Sequence, residues 1–303
     1  MLLHVLKSLF AGKKTPEAAP PVDAPPIPLH LDVRPFQAQP APAPVTPAKE
    51  MTLEEYAALS PRCELSFEGV QVVYTTPNVR TRWRVETLFD KEPITIQWIS
   101  GFRENEVLVD IGANVGMYTV FAAKVRGVRV FAFEPEAQNY ALLNRNILLN
   151  ELSGSVSAYC LAMSDRAEVS ALHLASTDTG ASGHSFGEMV GSNHEPVTPV
   201  YSQGCVASTL DELVAQGVLP CPDYIKIDVD GFEPKVIAGA MQCLRSGSVR
   251  SLLIEVNPAL EDHRDMTSLL NSMGYRHDPA QVAAATRESG PFAGVAETLF
   301  IKS

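Results

Sequence analysis

One stretch constrains this chain more than any other: Val109-Asp-Ile-Gly-Ala-Asn-Val-Gly-Met-Tyr-Thr119. A strand of buried type, 107–111, runs into a turn carrying Gly112 and Gly116, and a helical pattern, 117–124, follows at once. Such a joint belongs to parallel sheets, in which each strand needs a crossover helix to return the chain to the start of the next. The downstream sequence repeats the unit. Strand patterns at 128–133, 156–161, 223–229 and 249–256 alternate with helical ones at 136–150, 234–244 and 265–273, with Pro135 at a first-turn position and Gly274 as a stop. Residues 275–277 and 297–301 can add a closing pair. The expectation is an α/β domain with a doubly wound, mostly parallel sheet.

Residues 170–208 break the alternation. The segment is rich in Gly, Ser, Thr and His and too long for an ordinary connection, so it reads as a lid or substrate loop. Ahead of the domain, 94–102 suggests a helix, while 70–75 and 82–88 suggest strands. Residues 51–60 suggest a short helix capped by Thr52 and Glu55. Eleven of the 23 prolines fall within 11–50, where they deny the backbone both helix and ladder. The expected organisation is a Pro/Ala-rich leader over 1–50, a helix/strand subdomain over 51–105 and the main domain over 106–303.

Charge narrows the partners. The net charge is −11, and residues 1–50 contribute +1 of it, five Lys/Arg against four acids, so the remainder carries −12. An acidic body repels phosphate backbones, which argues against nucleic acid. The five cysteines form no Cys-x-x-Cys pair and read as reduced thiols. No run reaches the ~18 apolar residues of a membrane span. The apolar start of the chain is broken by His4 and Lys7, with no basic stretch before it, unlike a secretory signal. The expectation is a cytoplasmic protein, with residues 1–50 available to a partner protein.

Ligands of open α/β sheets sit at the carboxyl ends of the strands, where the Gly112–Gly116 turn falls. A dinucleotide fingerprint needs a bare second position for the pyrophosphate. Here that position is Asn114, and Asp110 adds a negative charge. A ligand with a cationic sulfonium and ammonium suits this turn better. Glu134, 24 residues after Asp110, closes the second strand in Phe131-Ala-Phe-Glu-Pro-Glu136, where a carboxylate can take both hydroxyls of a ribose. Asp165, in Leu161-Ala-Met-Ser-Asp-Arg166, can accept the amine of an adenine or simply cap a turn. In Tyr224-Ile-Lys-Ile-Asp-Val-Asp-Gly-Phe-Glu233, charges interrupt an apolar strand. Lys226 and Asp228 share a face there, and Asp228 should face the same crevice as Asp110.

Together these segments resemble the FkbM family of S-adenosylmethionine-dependent methyltransferases, from about Arg80 to Ile301 and including Arg84-Val-Glu-Thr-Leu-Phe-Asp-Lys-Glu-Pro-Ile-Thr95. The resemblance implies a Rossmann-like class I fold of seven strands, one of them antiparallel. It also implies S-adenosyl-L-methionine as cofactor and O-methylation of a hydroxyl on a sugar, polyketide or related metabolite. By position, Asp110, Gly112, Asn114 and Gly116 match the cofactor loop, Glu134 the ribose acid and Asp165 the adenine contact. Asp230 stands where the family more often has Glu. An alcohol is a poor nucleophile that gains from a base, for which Asp228, Asp230, His184 and His194 are the candidates, with no dedicated metal site. Glu92 and Thr95 can close one wall of the pocket, and Trp83 and Trp98 read as core aromatics. The competing readings are a nucleotide-cofactor oxidoreductase on the same fold and a non-catalytic binding module tethered by the leader.

Overall fold

The computed structural model describes residues 61–290 and 292–303, together with Thr52, Glu54, Glu55 and Leu59. The Pro/Ala-rich leader and most of the expected helix at 51–60 lie outside the described residues.

The chain opens with an antiparallel hairpin, β1 (Arg62–Phe67) and β2 (Val70–Thr75). Two helices follow, α1 (Val79–Glu86) and α2 (Pro93–Ser100). The first corrects an expectation, because residues 82–88 alternate like a strand. Asn78 caps the helix by accepting from the Thr81 amide at 2.8 Å, and the Asn78 amide donates to the Thr81 hydroxyl at 3.2 Å. This capping box starts a helix whose buried residues are Thr81 and Val85, four apart, with buried Leu88 in the turn just beyond its end. Tertiary burial outvoted the local alternation.

The central units are β3 (Val107–Ile111), α3 (Met117–Arg126), β4 (Arg129–Phe133), α4 (Ala137–Leu149) and β5 (Val156–Tyr159). Pro135 precedes α4 rather than entering it, since Glu136 is the N-cap and accepts from the amides of Gln138 and Asn139. The segment expected to be a loop is part strand: with β6 (Ala162–Met163) just ahead of it, β7 (Glu168–Leu174), β8 (Ser185–Phe186) and β9 (Tyr201–Ser208) form a four-stranded sheet, and the stretches between them are irregular. Its polar composition suits strands that are wet on one face, as Val169 and Val206, exposed by 82% and 51%, illustrate.

The chain then runs through α5 (Leu210–Ala215), β10 (Tyr224–Ile227), α6 (Glu233–Ala238), α7 (Met241–Ser246), β11 (Ser251–Val256) and α8 (Glu261–Ser272). It ends in β12 (Tyr275–Arg276), α9 (Pro279–Ala285) and β13 (Ala296–Lys302). The single helix expected over 234–244 is two. The chain bends at Gly239, which passes so close to the Ser164 carbonyl that a Cβ there would lie 2.1 Å from the oxygen.

The main sheet has the order β12-β13-β11-β10-β3-β4-β5. All pairings among β11, β10, β3, β4 and β5 are parallel, and β13 runs antiparallel to both β11 and β12. The expected seven strands with one reversed are therefore present. Period-two alternation divides the core. Leu108, Val130 and Ala132 face one apolar cluster with α2, α3 and α4, while Val109, Phe131 and Ile225 face another with α5 to α8. Helices cover both faces, the doubly wound arrangement.

Candidate active site

Asp110 and Lys226 sit side by side on neighbouring parallel strands, 1% and 2% exposed. Buried charges are costly unless paired or hydrogen-bonded, and each has one such partner, while Asp110 Oδ1 has none among the described residues. Asp110 Oδ2 accepts from the Thr119 hydroxyl at 2.5 Å, and Lys226 Nζ lies 3.1 Å from Asp228 Oδ2. Burial pushes the Asp110 carboxyl up, with Lys226 and Thr119 pulling the other way. Burial alone would raise Asp228 too, but Lys226, with Lys91 and Arg287 adding to it, holds Asp228 down at about 2. Carboxylate oxygens of Glu92, Asp228 and Glu297 lie within 4.8 Å of one another, with the Lys226 ammonium as their internal counter-charge.

Gly112 makes the close approach possible. Its φ is +79°, and a Cβ would lie 1.8 Å from the Asp228 carbonyl oxygen, so the turn after β3 and the loop after β10 fit only without a side chain. Asn114, itself at φ +51°, does not point into open space. Its Nδ2 donates to the Ala181 carbonyl at 2.7 Å, which ties the glycine turn to the 178–184 connection. Gly116 packs against Leu143, away from the cavity.

Above these turns lies a cavity of about 350 Å3. Its wall takes in Gly112, Asn114, Phe133, Glu134, Leu161 and Met163. Glu134 is buried, and backbone amides orient it: Asn114 N–H donates to Oε2 at 2.8 Å and Glu136 N–H to Oε1 at 2.9 Å. No described cation pairs with it. Burial raises its carboxyl to about 7 against the pull of those amides. Asp165 is not part of the cavity wall. Ser164 Oγ donates to its Oδ1 at 3.2 Å, and Arg166 lies 3.6 Å from Oδ2.

The wall also takes in Arg80, Trp83, Arg84, Asp228, Asp230 and Glu255, with Arg287 and Phe292. Trp83 is 47% exposed on this rim, contrary to the expectation of a core aromatic, whereas Trp98 is buried against Phe102. Asp230 holds a left-handed φ of +54° and accepts from Gly183 N–H at 2.7 Å. Burial and the Asp228 charge raise it to about 6. His184 also lines the cavity. Its Nδ1 accepts from the Ala175 amide at 3.2 Å, so its proton resides on Nε2, and burial lowers its basicity. His194 lies outside the wall, with Nε2 2.9 Å from the Gly231 carbonyl and Nδ1 3.9 Å from Asp262.

A smaller cavity, about 40 Å3, adjoins the first through Arg84, Lys91, Gly112, Asn114 and Asp228, and adds Glu92 and Asp110. Thr95 is fully buried and not part of that wall. Sequence reasoning missed Arg80, Lys91, Glu255, Arg287 and Phe292. Of these, Glu255 carried a signal, an acid interrupting the apolar strand Leu252-Leu-Ile-Glu-Val256.

A sequence model described as the methyltransferase FkbM domain matches residues 110–277. Among curated proteins, the hexuronic acid methyltransferase AglP of Haloferax volcanii is 26% identical over 206 residues, 67% of this chain and 77% of that protein. The 31-O-demethyl-FK506 methyltransferase FkbM of Streptomyces tacrolimicus is 27% identical over 194 residues, 57% and 74% respectively. Among solved structures, a methyltransferase FkbM from Methylobacillus flagellatus KT aligns at 17% identity with a TM-score of 0.42, covering 66% of this chain and 44% of that one. Because the sequence match runs over more than half of the chain and takes in the carboxyl ends of β3, β4, β10 and β11, the chain belongs to the FkbM family of methyltransferases.

Proposed function

We propose that the chain transfers a methyl group from S-adenosyl-L-methionine to a hydroxyl of a sugar or related small metabolite. The observation that carries this reading is Glu134: a buried carboxylate, unpaired with any described cation, aimed by two backbone amides at the mouth of a glycine turn. That is the arrangement a ribose diol needs. A pyrophosphate would meet Glu134, Asp110 and Asp228 instead of donors, so a dinucleotide fits poorly.

The residues divide the work. Glu134 would grip the ribose, and Leu161, Met163 and Phe133 would form an apolar slot for the base, with Asp165 at most at its edge. Asp110, Glu92 and Asp228 face the small adjoining cavity, where an ammonium finds carboxylates, and Arg84 and Lys91 stand beside it for a carboxylate. When bound, the cofactor supplies an activated methyl on a cationic sulfur, so the protein chiefly aligns an acceptor oxygen with it and manages one proton. His184 offers Nε2–H as a donor to the acceptor. Asp228, held ionised by Lys226, serves charge rather than proton transfer, which leaves Asp230 and Glu255 as the carboxylates suited to that proton. Trp83 and Phe292 give the acceptor end two aromatic walls, as a sugar ring favours. The AglP relative, named for a hexuronic acid, supports a sugar acceptor. No described helix is long and apolar enough to cross a membrane.

The test is calorimetry with S-adenosylhomocysteine and with NAD, followed by labelled-methyl transfer into a cell extract and mass identification of the product. We expect micromolar binding of the homocysteine nucleoside and none of NAD. Tight NAD binding alone would replace the reading with an oxidoreductase, and nucleoside binding without any labelled product would favour a binding module.

A further inference from the structure

A second cavity, of about 210 Å3, adjoins the first and is walled by Ser192, Asn193, Glu233, Asn257 and His263, among others. Glu255 and Phe292 belong to both walls, and Glu255 is the acid common to them among the described residues. It sits near the end of β11, only 7% exposed and opposite Glu297 on β13. Arg287 reaches in from the segment before β13. Its Nη1 lies 2.6 Å from Glu255 Oε1 and its Nη2 3.7 Å from Glu297 Oε1, so one guanidinium is shared between two carboxylates. Glu255 Oε2 has no hydrogen-bond partner among the described residues. It is thus a carboxylate clamped at one oxygen, with the other available at a junction between two spaces.

The surrounding charges leave Glu255 poised. Asp228 and Asp230 face it from the loop after β10, Glu233 from α6, Glu297 from β13, Arg287 from the segment before β13 and His263 from α8 across the second cavity. Burial, then Asp228, raise its carboxyl to about 7, against Arg287. The rival, Asp230, has Oδ2 committed to Gly183 and is not part of the second cavity's wall.

We infer that Glu255 is a further catalytic residue, whose Oε2 takes the proton of the acceptor hydroxyl and passes it to water in the second cavity. The inference rests on the methyl-transfer reading above. As the acceptor oxygen gains its bond to the methyl carbon, the carbon–sulfur bond breaks with its electron pair left on sulfur. The hydroxyl proton moves to Glu255, so the acceptor ends as a neutral ether and no charge is stranded on the alkoxide. The ring of polar groups around the second cavity suits ordered water, which needs two to four partners.

The experiment compares Glu255→Gln, Glu255→Asp, Arg287→Met and Asp230→Asn with the parent. Affinity for S-adenosylhomocysteine is measured first: parent protein that fails to bind it sinks the methyl-transfer reading itself, whereas binding within about threefold across the set isolates the proton step. Labelled-methyl transfer into cell extract is then followed against pH. A lost base costs on the order of 10²–10⁴-fold. Glu255→Gln should therefore fall by at least ~100-fold and lose the rise in rate through neutral pH. Glu255→Asp should recover part of the rate, and Asp230→Asn should keep the rise. Arg287→Met, by removing the cation, should move the rise upward by about one pH unit. A readout independent of turnover is the carboxyl carbon of 13C-glutamate-labelled protein without ligand: one signal titrating near neutrality should vanish in Glu255→Gln. Retention of the pH limb and of the titrating signal in Glu255→Gln, or transfer of the limb's loss to Asp230→Asn, overturns the assignment. Should Glu255→Gln not fold, an unmoved limb in Arg287→Met overturns it equally.

Discussion

Two parts of the main cavity wall are built in different ways. The part of the wall holding Glu134 is assembled from the turn after β3, the carboxyl end of β4 with the residue after it, and the β5–β6 stretch, and all of its named residues lie within 110–277, the stretch matched by the family. A second group takes Arg80, Trp83 and Arg84 from α1 and Arg287 and Phe292 from the segment before β13, both outside that stretch. On the proposed reading the first group would serve the cofactor and the second the acceptor, and the two roles can then be tested apart. The hinge between the two parts is Lys226 with Asp110 and Asp228, on adjacent strands beneath both.

That division can be broken experimentally, beginning at the hinge. Lys226→Met should cost about 3–5 kcal/mol in chemical denaturation, because it strands buried carboxylates without their ammonium. The sign of the pH effect follows. Asp228 has a folded value near 2, below its ordinary 3.8, so its contribution is complete above the ordinary value and lost as pH falls through about 2. The variant should lack that acid-limb stabilisation, and an unchanged unfolding curve would remove Lys226 from the account. Gly112→Ala comes next. Its Cβ would overlap the Asp228 carbonyl at a positive φ, so a loss of about 3 kcal/mol is expected, read as a lower melting temperature. Parent-like melting would mean that the β3 and β10 loops can part freely.

Glu134→Ala removes two charge-assisted bonds to a ribose, about 3 kcal/mol, so affinity for S-adenosylhomocysteine should fall at least ~100-fold by calorimetry. The acceptor end should behave otherwise. Trp83→Ala should raise the acceptor KM by about fivefold, the ~1 kcal/mol of an aromatic contact, and leave nucleoside affinity unchanged. A shared loss in both constants would show that the ends are coupled. The smallest effect is reserved for Asp165→Ala, whose carboxylate is occupied by Ser164 and Arg166: nucleoside affinity should move by less than about threefold.

Much of the fold was legible. Glycine turns, the Glu after β4 and the strand–helix alternation all report on local geometry and gave the mostly parallel, doubly wound sheet, while the count of seven strands with one reversed came from the family resemblance. The failures share a cause. Residues 82–88 alternate like a strand, yet 82–86 are helical and 87–88 a turn, because Asn78 and Thr81 close a capping box and Val85 and Leu88 turn inward. Residues 170–208 read as loop because their strands are wet on one face, and polar strands resemble turns when the pairing partner is unknown. The expected helix over 234–244 is broken at Gly239 because the Ser164 carbonyl, distant in sequence, lies against it. Glu255 was visible as an odd acid in an apolar run, but nothing along the chain could say that Arg287, 32 residues on, would clamp it.

What the amino-acid order determined alone was the part that obeys short-range rules: a strand, a side-chain-free turn, a helix, and an acid one strand later. These act within a few residues or one crossover, where covalent continuity already fixes the distance. What only the folded chain decided was the pairing of charges far apart in sequence, Lys226 beneath Asp110 and Arg287 against Glu255, and with it which carboxylates stay ionised and which hold a proton. Proton affinity depends on burial and on every neighbouring charge, and both exist only once distant strands have been brought side by side.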